Sequence, residues 1–478
     1  MIFIGRVTVE RMDPASSMRT STNPPTLAEA LTLMAWGPRD LARAVNFWLS
    51  ARGRAQERIN ITAAYPWLRD NYYPHGSIPE VVATVLSDKL GYHVSPADLW
   101  LGNPRARRTA APMAGLSFGA NFDDVASSLR QLAAGVRPMT TSAPQLVAAV
   151  IDGIHREYGP LPAPTSPERV PAAQVELIAD HVGALRRLDD RQGGGALSLR
   201  YVKNELASVL DLLTTASCAP EVGRELMLAV ADLAQLTGWM QFDAGELAIA
   251  RTYLLLAIRV ANLVGDRSRV VNYGGLLSYA VATSGHGHAA LQIVEALSST
   301  KPPSRLLQAR TAGRVATACA SAGDLAGFRT AADNAQLLLS TAEEDETSPY
   351  LYYLSPEQLS AEAGHSLVTL AMGAQSSRSA LLKDAINLLE PLSSISDTPD
   401  SQRSALLHGC ALAKAHILRR DLEAAVAVTR VALTRLDEVQ SGRCAGILRD
   451  LRRTFVQRKQ ARVVAEFLPD LDQALSLF

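Results

Sequence analysis

Apolar residues along this 478-residue chain recur mostly at spacings of three and four, the period of an α-helix. Leu27, Ala30, Leu31 and Met34 follow Thr26, which predicts a short helix with a threonine N-cap. Gly37 breaks that helix, and Pro38 suits a first helical turn. Leu41, Ala44, Val45, Trp48 and Leu49 then line one face, with Arg39, Asp40, Arg43 and Asn46 opposite. After the basic connector 51–61, Thr62 is expected to cap a third helix with Trp67 and Leu68 inward and Ala63, Ala64 and Arg69 outward. Helices over 78–90 and 97–100, the latter capped by Ser95, complete a group of five.

From about 176 onward the pattern is helical throughout, and it repeats. Gly238, Gly245, Ala250, Leu254 and Ala257 match in kind the order of a tetratricopeptide hairpin: a small residue where two helices meet, a turn glycine, then Ala, a large apolar residue and Ala. Leu254 stands where an aromatic is usual, with Tyr253 beside it. Weaker copies follow at Gly285 with Ala290 and Ala296, at Ala322-Gly-Asp-Leu325, around Gly373, and at Arg420-Asp421 with Ala425 and Ala432. No single hairpin can bury its own apolar face, so neighbours must stack, leaving one concave surface.

The expected fold is thus all-α. Residues 1–25 are a disordered or overlong start, and 26–101 a five-helix, helix-turn-helix-like DNA-binding domain. Residues 102–175 are a Pro-rich linker with helical islands, bounded by the Gly159–Pro167 stretch, and 176–478 are a tetratricopeptide-like helical repeat domain.

Lys plus Arg equals Asp plus Glu at 47 each, so no global charge points to a partner, and a basic patch must be local. One exists: between 36 and 72, Arg39, Arg43, Arg52, Arg54, Arg58 and Arg69 stand against Asp40, Glu57 and Asp70. A helix-turn-helix presents the first turn of its recognition helix to base edges while nearby basic groups hold phosphates. The candidate DNA-binding residues are therefore Arg39, Arg43, Arg52, Arg54, Arg58, Thr62, Ala63, Ala64, Tyr65 and Arg69. The connector is longer than the usual turn, and Pro66 requires the recognition helix to begin late. The alternative is an interaction scaffold whose N-terminal helices do not bind DNA.

No catalytic, metal or cofactor site is expected. The chain has no GxSxG, HExxH or strand-borne GxGxxG, and Cys218, Cys319, Cys410 and Cys444 form no CxxC pair. His286 and His288 have no carboxylate or Cys nearby, the acidic run 343–346 lacks the alternate-residue spacing of a calcium loop, and His408 and His416, eight apart on one helical face, read as packing or capping. The Asp189–Gly195 block reads as a helix end running into a hinge, without a phosphate-loop pattern. No apolar run approaches the ~20 residues of a membrane span, so a cytoplasmic protein without a membrane partner is expected.

On these residues the chain resembles a family of actinobacterial regulators that join an XRE-like helix-turn-helix to C-terminal tetratricopeptide-like repeats. The carrying stretches are Pro38–Asn46 (PRDLARAVN), Thr62–Leu68 (TAAYPWL), Ile78–Ala83 (IPEVVA), Leu90–Leu99 (LGYHVSPADL), Leu185–Gly195 (LRRLDDRQGGG) and Leu233–Gly245 (LAQLTGWMQFDAG). The resemblance implies a transcriptional regulator of development, sporulation or antibiotic production that binds double-stranded DNA. Its repeats are expected to hold a peptide, protein or small-molecule effector, or a second copy in a homodimer.

Overall fold

Thr26 and Glu29 cap the first helix reciprocally: the Glu29 N–H donates to Thr26 Oγ1, and the Thr26 N–H donates to Glu29 Oε2 at 2.8 Å. The computed structural model describes residues 25–51, 57–75, 77–90, 94, 96–101, 103, 113–117, 119–155, 169–298, 304–343, 348–374, 376–394, 402–436, 439 and 441–476. Most of the 1–25 start, Ser95 and the Gly159–Pro167 boundary lie outside them. Among the described residues every regular element is helical, apart from one backbone bridge between Arg169 and Ser217. The chain divides into two compact units, Met1–Trp48 with Arg58–Arg107, and Leu49–Glu57 with Arg108–Phe478.

The first unit contains α1 (Leu27–Leu33), α2 (Pro38–Ala51, whose last turn falls to the second unit), α3 (Ala64–Arg69), α4 (Ile78–Leu90) and α5 (Pro96–Leu99). Its aromatic centre is Trp100, fully buried, edge-on to Trp67 at 6.1 Å and to Tyr73 at 5.4 Å. The Trp100 indole N–H donates to the Tyr72 carbonyl at 2.9 Å, satisfying the one polar atom this ring brings inside.

The second unit begins before the repeats. A 3₁₀ turn (Ala114–Leu116), α6 (Phe122–Ala133) and α7 (Ala143–His155) occupy much of the segment expected to be a linker. Val125, Leu129, Leu146, Val150 and Ile154 belong to the same core as Leu254, Ala257 and Ile258. Arg259 fastens them there. Only 1% exposed, its guanidinium donates to the carbonyls of Gly115, Leu116 and Ser117 and pairs with Asp152 at 2.9 Å. A buried cation so placed is satisfied by carbonyls that a tight turn leaves without partners.

The array proper runs through α8 (Ala172–Gln192), α9 (Ala196–Thr215), α10 (Pro220–Asp243), α11 (Leu247–Leu263), α12 (Arg267–Thr283), α13 (Gly287–Ser298) and α14 (Arg305–Ala322). It continues through α15 (Leu325–Ser340), α16 (Pro356–Gly373), α17 (Arg378–Ser393), α18 (Gln402–Leu418), α19 (Leu422–Leu433), α20 (Gly442–Val456) and α21 (Arg462–Leu475). Most helices pack on the next, and from α12 the even-numbered helices also pack on the next even one, giving two layers of a helical repeat.

One turn recurs between helices. Gly245, Gly265, Gly285, Gly323 and Arg420 all have positive φ, and each closes the preceding helix with a pair of backbone bonds. At Gly245 the pair is Gly245 N to Phe242 O at 3.0 Å and Glu246 N to Gln241 O at 2.9 Å. Asp266, Asp324 and Asp421 follow three of these turns and cap the next helix. The Gly265 turn has no counterpart in the repeat spacing read from the sequence. Gly238 does what that spacing predicts, since a Cβ there would lie 3.0 Å from the Tyr253 Cβ and 3.2 Å from the Ala250 carbonyl.

The even-numbered layer returns on itself and is the inner of the two, since its first and last helices meet. Helix α18 touches α8, and α20 touches α10, so the end of the array meets its beginning.

Candidate functional site

In the first unit, α2 sorts its residues as its apolar stripe requires. Leu41, Ala42 and Val45 are fully buried, while Arg39 and Arg43 are exposed. Arg43 reaches Asp40 at 3.3 Å, one turn back. Arg58 is exposed within the connector; Arg52 and Arg54 lie outside the described residues. On α3, Tyr65 is 44% exposed, and Arg69 forks onto the neighbouring Asp70 at 2.9 and 2.8 Å. Exposed pairs of this kind contribute little.

Three expectations for α3 are corrected. Thr62 does not cap it: its hydroxyl donates to Asn60 Oδ1 at 2.8 Å, and the cap position falls to Ala63, which has no side-chain acceptor. With the helix beginning at Ala64, that residue lies one turn from Trp67 on the same face, and both are buried. Ala64 therefore leaves the outward set, which keeps Thr62 and Tyr65 exposed and Ala63 half-buried. Leu68 is likewise half-buried rather than core. Pro66 sits in the first turn, where its missing N–H costs no helical bond.

The second unit carries charge inside. Asp232 of α10 accepts from Arg269 Nε and Nη2 of α12, each at 3.1 Å, and from the Tyr273 hydroxyl, with Arg186 Nη2 of α8 at 2.8 Å. Burial alone would raise its pKa; Arg186 and Arg269 outweigh that and hold the carboxyl below the usual range. Further along the inner layer, Glu362 of α16 is forked by Arg310 of α14, approached by Arg314 at 3.5 Å, and receives the Gln358 amide at 3.0 Å. Burial again opposes ionisation, but the two arginines bring this carboxyl to about 2.

Aromatic rings complete this inner layer. Trp239, Phe242 and Tyr279 have centroids 5.3 to 6.0 Å apart. Arg443 of α20 donates to the Tyr279 hydroxyl at 2.8 Å and lies 4.8 Å from the Phe242 ring and 5.4 Å from the Tyr279 ring. Arg314 lies 4.6 Å from the same Tyr279 ring. Two cavities open beside the charged groups. One, of about 250 Å³, is lined by Asp266, Arg269, Ser304 and Tyr350; the other, of about 200 Å³, by Ala316, Ala335, Leu359 and Glu362.

The Asp189–Gly195 block belongs to the closure of the array. Arg403 of α18 bridges Asp189 at 3.5 Å and Asp243 at 3.1 Å, and the Ser441 hydroxyl donates to Asp243 at 3.0 Å. The Gly194 N–H donates to the other Asp243 oxygen at 3.3 Å, and a Cβ on Gly194 would lie 2.5 Å from the Met240 carbonyl. These glycines allow backbone to approach backbone. Burial, with Asp243 and Asp190 nearby, raises the Asp189 carboxyl to about 7 in spite of Arg403. His365 Nε2 and His408 Nδ1 share a hydrogen bond of 2.9 Å across α16 and α18.

Arg186 lies within the Leu185–Gly195 stretch but was given no role there, and none of Asp232, Arg310, Arg314, Glu362, Arg403 and Arg443 figures among the residues singled out in the sequence. Their signal was present: charged residues at positions that helical periodicity assigns to the interior. Among the described residues no group of three or more His, Cys, Asp or Glu is placed to hold a metal ion. Burial raises the thiols of Cys319, Cys410 and Cys444, which makes them weak nucleophiles. No described helix is long and apolar enough to cross a membrane.

No curated protein and no solved structure matches the chain. Residues 27–102 are similar to a family described as the SP15 N-terminal domain, and the match spans all five helices of the first unit.

Proposed function

We propose that this protein is a DNA-binding transcriptional regulator of the helix-turn-helix plus tetratricopeptide type. In this reading the first unit reads duplex DNA and the array binds an effector, a partner or a second copy. The observation that carries it is the sorting of α2 and α3, with Arg39, Arg43, Thr62, Tyr65 and Arg69 exposed while Leu41, Val45, Ala64 and Trp67 are buried. Arg58 extends the same basic set. A surface of this kind positions a short helix on DNA through phosphate contacts, with Tyr65 and Thr62 near the bases.

The test is fluorescence anisotropy of the full-length protein on duplex genomic fragments at several salt concentrations. A few phosphate contacts should give a log–log salt slope of roughly −3 to −5, and Arg39→Ala or Arg58→Ala should each reduce its magnitude by about 1. Affinity no greater than that of an acidic control protein at low salt would overturn the reading.

A second reading, the interaction scaffold, is favoured by the charge count over 26–101, where seven Lys and Arg face seven Asp and Glu, and by the six-residue length of α3. The same failed anisotropy experiment would promote it.

A further inference from the structure

Burial of a cation is costly unless an anion or a full set of acceptors replaces its water. In the inner layer most charged groups meet that condition. Asp232 and Asp266 balance Arg186 and Arg269, and Asp189 and Asp243 take Arg403. The group around Tyr279 does not. Arg310, Arg314 and Arg443 converge there, and among the described residues Glu362 is the one carboxylate in contact with any of them. Among the described residues Arg443 has no carboxylate within 4.0 Å; its polar partner is the neutral hydroxyl of Tyr279, and its remaining neighbours include the Phe242 and Tyr279 rings. Asp243, the acid that could serve it, is already held by Arg403, Ser441 and Gly194. Arg443 as a whole is half-buried rather than sealed in.

We infer that this inner face binds an oxyanion, the carboxylate or phosphate group of a small ligand, between Arg314 and Arg443 across Tyr279. The two guanidinium groups supply forked donors suited to either oxyanion. Trp239, Phe242 and Tyr279 supply an apolar wall for whatever bears the charge. The site deepens the effector role proposed above, because an anion placed there would tie α14 to α20.

The experiment is calorimetric titration of the full-length protein with inorganic phosphate and with acetate, against chloride at matched ionic strength. Saturable binding of phosphate or acetate is expected, weakened about tenfold or more by Arg443→Gln and unchanged by Arg462→Gln on the exposed face of α21. No saturable binding by the wild-type protein, equal binding of chloride, or full affinity in R443Q would overturn the site. If R443Q loses its helical circular dichroism, Arg443→Lys takes its place, since it keeps the charge and removes the fork; full affinity in that variant would equally overturn it. Anion binding that leaves DNA affinity unchanged would support the site and remove its coupling to the first unit. DNA binding without anion binding would overturn the site alone.

Discussion

The side-chain amide of Asn46 holds Ile59 by both of its backbone groups. The Ile59 N–H donates to Asn46 Oδ1 at 2.8 Å, and Asn46 Nδ2 donates to the Ile59 carbonyl at 2.9 Å. The far end of the long connector is thereby fixed to α2, and α3 follows a few residues later. Asn46→Ala removes two partly buried hydrogen bonds and should destabilise this region by about 1–3 kcal/mol. Hydrogen exchange across residues 57–69 measures it; unchanged protection there would show that other contacts hold the connector.

Within the array, Leu254 and Ala257 are fully buried, and Gly238 meets Tyr253 at van der Waals limits. Ala257→Arg should cost several kcal/mol, because a charge would be forced between packed helices. Gly238→Val should cost about 1–3 kcal/mol through overpacking. Thermal melting checks both, and an unshifted midpoint in either variant would mean that the helix contact is misplaced.

The buried titratable groups predict opposing pH effects. Burial, with Arg443 nearby, pushes His408 down to about 4, and burial with His408 pushes His365 well below its ordinary 6.5. Between pH 6.5 and 4 the unfolded chain binds protons that the folded one refuses, so this stability is full above 6.5 and is lost on acidification. Asp189 acts in reverse. Its carboxyl is raised from 3.8 to about 7, so the folded state holds the extra proton and stability is lost as pH rises through that window. In urea titrations from pH 4.5 to 8, the midpoint of His408→Asn relative to wild type should rise as pH falls. That of Asp189→Asn should rise as pH increases. Curves parallel to wild type in both variants would contradict the assignment.

Features fixed by short stretches of chain were legible in the sequence. The Thr26 cap, the span of α4 and the Gly238–Ala257 register depend on residues within a turn or two of one another. The face of α3 was misjudged because Ala64 was set opposite Trp67, although residues three apart share a helical face wherever the helix begins. The prolines of 102–175 pointed to a linker with helical islands; α6 and α7 are the helices found there, and what they dock against depends on Arg259, far along the chain. The partners of the interior charges were not legible for the same reason. Arg403 gives no local sign that it will meet Asp189 and Asp243, and pairing of that range follows only from the path of the whole array.

The return of α18 and α20 to α8 and α10 makes the number of hairpins a fixed quantity. An open stack tolerates the gain or loss of a unit, because each unit contacts only its neighbours. Here an inserted hairpin would carry Arg403 and Ser441 past Asp243 and leave three buried polar groups stranded. Copy number is therefore part of what this array encodes, and duplication of a unit, the usual route by which repeat proteins lengthen, is closed to it.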